Sequence, residues 1–157
     1  MTILYHYPRG AKQGDAMPDA HDQKTTNHYV VHFPDHTPRE DDPHYKDFDA
    51  FRRKTEKDAK CAFGVARGDL SECSGDLELH HSHIEFSLMN SVDLSLLETV
   101  YPGVSNPDEV GAWVESAANL EWLCESHHRG VGGIHHAAAA DFEAEKFIHN
   151  LISEDKQ

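Results

Sequence analysis

Leu77-Glu78-Leu79-His80-His81-Ser82-His83 is the stretch on which the fold of this chain turns. Leu77, Glu78 and Leu79 alternate apolar and acidic, the period of a half-buried strand. The strand runs into a cluster of histidines. Neighbouring strand residues point to opposite faces, so His80 and His81 are expected to do different work. Far downstream stands a second stretch of the same kind, Asn119-Leu120-Glu121-Trp122-Leu123-Cys124, followed by Glu125-Ser126-His127-His128-Arg129-Gly130. Together they predict two strands, distant in the chain, whose ends bring imidazoles together.

Upstream, Cys61 and Cys73 bracket a turn-rich segment containing Gly64, Gly68 and Asp69. Downstream, Cys124 and His127 have Cys-x-x-His spacing. Three cysteines cannot all pair with one another. They are either free buried thiols of a reducing compartment or thiolate ligands with a histidine completing the set. On the second reading Cys61, Cys73, Cys124 and His127 hold a structural zinc in a closed tetrahedral site. Such a site would compensate for a thin core, since only 38% of the 157 residues are apolar. Fourteen histidines are a large excess. Histidine is a common metal ligand and titrates near neutral pH, though many of the fourteen are expected at the surface.

Residues 84–118 connect the two strands. A structureless loop of that length would be unusual, so helices are expected over 93–100 and 107–114, the latter with Asn106 as N-cap and Pro107 at the first turn. Asp42-Pro43 is expected to open an earlier helix, with Asp42 as N-cap. Tyr45, Phe48, Phe51 or Arg52, Thr55 and Ala59 would face its core side. Arg53, Lys57 and Lys60 share another face, which is either simply solvated or a ridge that contacts phosphate. Residues 29–33 suggest a short strand stopped by Pro34, and residues 1–27 an irregular segment. After Gly130, Gly132 and Gly133 a last helix is expected from about 138 to 152, with Ala144, Ile148, Leu151 and Ile152 on its apolar face.

The net charge of −14 is awkward for binding nucleic acid, which normally needs a basic surface. The charge is uneven, however. Residues 1–60 carry 10 basic and 11 acidic side chains, and residues 61–157 carry 4 and 17. Bound divalent cations would offset part of the downstream charge. No run of 18 apolar residues exists, so no membrane span is expected. The first residues show no charged segment followed by an apolar one, so a cytoplasmic location is expected, the host cytoplasm if the chain is phage-encoded.

The order His80-His81, Asn119, His128, set in Leu-Glu-Leu-His-His and Asn-Leu-Glu-Trp-Leu-Cys, resembles the HNH endonucleases of the ββα-metal superfamily over about residues 61–150. It is closest in kind to the small standalone members found in phages and their bacterial hosts. The resemblance implies an α+β fold: a two-stranded antiparallel hairpin and a helix around a metal, with a zinc knuckle, additional helices and an irregular N-terminal arm. Residues 1–42 would be the arm and 43–157 the nuclease domain with its preceding helix. It implies His80 and His128 as ligands of one catalytic divalent ion and His81 as general base. Asn119 would tie the loop in place and help aim His81. The family often spaces its last two ligand histidines by four, which here lands on Gly132. The sequence departs from the pattern, and His135, with His136 as its neighbouring alternative, is taken as the third ligand. Arg129 could contact phosphate or lie in solvent, and His83 could assist the site or sit at the surface.

The implied activity is hydrolysis of phosphodiester bonds in DNA, with RNA the other substrate class these residues admit. Imidazole ligands suit zinc, nickel or manganese, whereas magnesium prefers oxygen. A competing expectation is a non-catalytic, zinc-stabilised acidic protein that mimics nucleic acid or engages a basic partner.

Overall fold

β2 (Leu77–His81) and β3 (Leu120–Cys124) lie antiparallel, with Leu77 opposite Cys124, Leu79 opposite Trp122 and His81 opposite Leu120. The structure, a computed structural model, describes residues 29–131, 133–137, 147–150 and 152–154. Expectations for residues 1–28 fall outside them. The architecture is a mixed α+β one built around this pair.

The connection between the strands carries the larger core rather than merely crossing it. Ile84, Phe86, Leu88, Leu97, Val104, Val110 and Val114 are buried there with Phe147 and Ile148. A 3-10 helix (Phe86–Ser91) opens it. α3 (Leu94–Val100) follows, its first turn closed by Asp93, whose carboxylate accepts from the Ser95 and Leu96 amides. α4 (Pro107–Val114) starts at the expected Asn106, whose side-chain oxygen accepts from Glu109 N at 3.0 Å. Glu109 reaches back to Ser105 N at 2.8 Å, so the two ends of this turn satisfy each other.

α1 spans Tyr45–Thr55, later than expected. Asp42 is not its N-cap: the carboxylate bends back onto the amide of His44, two residues on, and closes a turn that delays the helix. Tyr45, Phe48, Phe51 and Thr55 share the half-buried face, while Arg53, Lys57 and Lys60 are exposed. Trp122 on β3 donates its indole N–H to Thr55 Oγ at 2.9 Å and so ties α1 to the sheet. α2 (Ala62–Arg67) sits against β3 and the smaller cluster of Cys61, Leu123 and Cys124.

A second antiparallel pair was not anticipated. β1 (Tyr29–Val31) joins β4 (Ile152–Glu154), with Val30 opposite Ser153. The expected last helix therefore does not reach Ile152. Residues 138–146 lie outside the described ones, but 147–150 form turns and Asn150 has φ of 56°, a left-handed conformation through which a right-handed helix cannot run. The segment after β1, read as the end of an arm, packs on the rest: Asn90 donates to the Asp35 carbonyl at 2.8 Å, and the Arg39 guanidinium lies 3.8 Å from the Phe48 ring centre. Among the described residues no helix is long and apolar enough to cross a membrane.

Candidate metal centres

Cys61, Cys73, Cys124 and His127 come from four separate places and converge. Cys61 precedes α2, Cys73 follows it, Cys124 ends β3, and His127 lies in α5 (Glu125–His128). Their three sulfurs and one ring nitrogen lie within 4.8 Å of one another and could hold a metal ion. His127 Nδ1 is 3.6 Å from Cys61 Sγ, 3.6 Å from Cys73 Sγ and 3.2 Å from Cys124 Sγ. A tetrahedral ion with the usual bond lengths to sulfur and nitrogen would set these separations at about 3.5 Å.

The surroundings are shaped to the cluster. Phe63 stacks on the His127 ring at 4.2 Å between centres. At Gly64 a Cβ would come within 2.8 Å of Cys73 Sγ and 2.5 Å of Leu70 Cδ2, so only glycine lets this helix approach the thiols so closely. Burial works against a thiolate at Cys124. Hydrogen bonds from the Ser126 hydroxyl and the backbone of His127 and Ser74 nevertheless hold it down to about 6. Partial burial and the neighbouring thiols push Cys73 up to about 11. One thiol is thus ready to ionise, and a bound cation would favour ionisation of the others.

A second convergence is made of histidines alone. His80 on β2, His128 at the end of α5 and His135 in α6 (Ile134–Ala137) bring ring nitrogens within 4.8 Å of one another. His128 Nε2 and His135 Nε2 are 3.0 Å apart. His128 Nδ1 lies 2.6 Å from Glu78 Oε2. A carboxylate only accepts, so Nδ1 carries the proton and the Nε2 lone pair is left facing His135. The 3.0 Å spacing would suit two adjacent ligand positions on one cation with bonds of about 2.1 Å, once His135 also turns a lone pair inward. Burial pushes His80 down to about 4, with the charges of the other histidines adding and Glu85 opposing, so its ring is neutral and able to ligate. His135 is exposed, so the cluster opens to solvent on that side. His136 is exposed and outside it. Gly133 permits the turn between the two histidines: a Cβ there would meet the His128 carbonyl at 2.8 Å.

His81 points away from this cluster, into a clamp. It is 6% exposed. Its Nε2 is 2.9 Å from Glu115 Oε2, and its Nδ1 is 3.7 Å from Glu85 Oε2. Arg39 Nη2 stands 3.4 Å from both Glu115 oxygens, and Phe48 stacks on the imidazole. Burial lowers the pKa of His81, but its contacts with Glu115 and then with Glu85, and after them the charges of both acids, outweigh it, and the net shift is upward. Glu85 is the link between clamp and cluster: burial opposes its charge, yet His81, then His80 and His135, hold its pKa down.

Asn119 is fully buried and satisfies its entire side chain. Its oxygen accepts from the His83 and Ile84 amides, each at 3.0 Å, and its nitrogen donates to the Ile84 and Val114 carbonyls, each at 2.9 Å. It ties the loop after β2 to the end of α4, and its four side-chain hydrogen bonds go to backbone other than that of His81. His83 packs its ring against Tyr101 and Trp113. Arg129 is committed to Glu78, with Nε at 2.9 Å from Oε2.

Four residues of these sites were missed in the sequence. Glu78 read as the solvent-facing member of an alternating strand, although its position two before His80 puts it on the same face. Glu85, Glu115 and Arg39 carried no signal, because only the tertiary fold brings them to His81. Compared with protein-family models, with curated proteins and with solved structures, the chain matches none.

Proposed function

We propose that the protein is a metal-dependent endonuclease of the HNH, ββα-metal kind that hydrolyses phosphodiester bonds in DNA. One observation carries this reading: His80, His128 and His135, from three different elements, each bring a ring nitrogen within 4.8 Å of the others, with His135 exposed. These three would hold the catalytic divalent ion. Once bound, it would supply positive charge to the scissile phosphate and to the leaving oxygen. Cys61, Cys73, Cys124 and His127 would hold a structural zinc, the ion that a closed set of thiolates and one imidazole favours.

The protein's own groups account for the remaining chemistry. Hydrolysis needs a group to take a proton from water, and imidazole is suited to it near neutral pH. His81 would do so through Nδ1, since Nε2 is occupied by Glu115. Asn119 holds the turn that follows β2. The exposed Arg53, Lys57 and Lys60 would meet the nucleic-acid backbone, with phosphate displacing Asp49 from Arg53 and Asp58 from Lys57.

The burial of His81 between Glu115 and Glu85 favours the rival reading, a metal-stabilised acidic protein without catalysis. Nicking of supercoiled plasmid with magnesium, manganese, nickel or zinc separates the two. The endonuclease reading expects cleavage with at least one ion and its loss in His80→Ala and His81→Ala. Absence of cleavage with every ion, in protein carrying metal at the cysteine cluster, would leave the binding protein as the better account.

A further inference from the structure

Glu115 is the only acidic residue among the described ones whose whole residue counts as buried; 1% of its side chain is exposed. Removing a carboxylate from water costs several kcal/mol unless partners replace the lost hydration. Its partners here are His81 Nε2 at 2.9 Å and Arg39 Nη2 at 3.4 Å from each oxygen. The apolar core gains nothing from it. Val114, one residue earlier, is the core residue, and α4 has ended. The buried charge is therefore spent on the imidazole and the arginine.

The chemistry of that contact is one-directional. An ionised carboxylate has no hydrogen to give, so the proton between the groups sits on His81 Nε2. Arg39 Nη2 also stands 3.5 Å from that nitrogen, but at the outer limit of hydrogen-bond length, and the 2.9 Å contact with Glu115 is the one that places the proton. In a neutral ring this leaves the lone pair on Nδ1. Nδ1 stands 3.7 Å from Glu85 Oε2, too far for a direct hydrogen bond to consume it. The distance between acid and ring is set by a third residue. Asn119 grips the Val114 carbonyl, adjacent to Glu115, and the His83 and Ile84 amides, just beyond His81. One buried amide thus couples the chain segment carrying the acid to the segment carrying the ring.

We propose that Glu115 is a positioning residue for His81: it fixes the ring in its Nε2–H tautomer, and Asn119 sets the spacing at which it does so. What His81 then does rests on the endonuclease reading; the tautomer belongs to the chain whatever the activity.

The test uses the full-length protein with ¹⁵N-labelled histidine. Two-bond ¹⁵N–¹H correlation spectra in alkaline buffer, where the ring is neutral, report the tautomer of each histidine. The His81 signal is assigned by its loss in His81→Gln. Wild type is expected to show the Nε2–H pattern at His81. Glu115→Gln is expected to lose that exclusive pattern while the His127 and His128 signals stay in place, and Glu115→Asp to recover part of it. In plasmid nicking with manganese, Glu115→Gln should lower kcat by about 10²- to 10³-fold with KM within about twofold, and Glu115→Asp should restore part of the loss. A wild-type His81 in the Nδ1–H form would overturn the proposal, as would a Glu115→Gln protein with unchanged spectrum and kcat. If wild type fails to nick with every metal tried, the endonuclease reading fails, and the wild-type spectrum alone decides for or against Glu115. That spectrum also decides the matter should Glu115→Gln fail to fold.

Discussion

Glu78 Oε2 lies 2.6 Å from Nδ1 of His128, so a carboxylate on β2 orients an imidazole that belongs to a different element. Glu78 is itself held by Arg129, and its pKa is lowered by the hydrogen bond to His128 first and by Arg129 second. A carboxylate behind a ligating histidine fixes the ring's tautomer and strengthens it as a donor. Glu78→Gln should weaken metal binding at His80, His128 and His135 by about 10- to 100-fold. Isothermal titration with manganese or zinc, after the cysteine cluster has been filled, reads this directly. Unchanged affinity would show that the contact has no bearing on the centre.

Loss of metal at the cysteine cluster should be felt by the whole domain, because its ligands come from both flanks of α2, the end of β3 and α5. Cys124→Ala, or treatment with a strong chelator, is expected to cost about 5 kcal/mol and to lower Tm by roughly 10–20 °C. Thermal melts with parallel metal analysis check it. A native protein with no bound metal and an unaltered melt on Cys124→Ala would contradict the assignment.

Asn119→Ala would strand two backbone amides and two carbonyls inside the protein. Each orphaned buried group costs about 1–3 kcal/mol, so a total of about 4 kcal/mol or more is expected. Urea unfolding gives the number. A cost below about 1 kcal/mol would mean that the loop finds other partners or water.

His44 links α1 to α4 through Asp47 at 2.9 Å and Asp108 at 3.1 Å. The hydrogen bond to Asp47 chiefly raises its pKa above 6.5; burial opposes and Asp108 assists. A group with a raised folded-state pKa stabilises fully below its unfolded value. That stability is lost as pH rises through the folded value. Stability should therefore decline on going from just below 6.5 to more alkaline pH, and His44→Gln should flatten this part of the profile. Urea midpoints across the window settle it; an identical slope in the variant would remove His44 from the account.

Asp93 behaves in the opposite sense. The Ser95 hydroxyl first, then His149 and the Leu96 amide, hold its carboxyl down to about 2. Its contribution is complete above the unfolded value of 3.8 and disappears as pH falls through about 2. Asp93→Asn should lose stability at neutral pH and converge with wild type in strong acid. Parallel acid-unfolding curves, offset by a constant amount down to the lowest pH, would refute this.

Local pattern made part of this architecture readable in advance. Alternation gave the position of β2, and Asn106-Pro107 gave the start of α4, because strand period and helix capping are properties of a few adjacent residues. The cysteines and histidines that converge could be nominated because ligand chemistry restricts the residue types. Distance in the chain hid the rest. Glu115 is an unremarkable acid after a short helix until α4 packs and turns it toward His81. The sequence from 138 to 152 has helical composition, yet Ile152 pairs with β1, a partnership across more than a hundred residues that no local period encodes.

The β1–β4 pair also bears on how the chain tolerates trimming. A version ending before Ile152 would strip β1 of its only described strand partner and leave a bare row of amides and carbonyls at Tyr29–Val31. Such an edge is a template for self-association. Shortened preparations are therefore expected to aggregate, which size-exclusion chromatography would show.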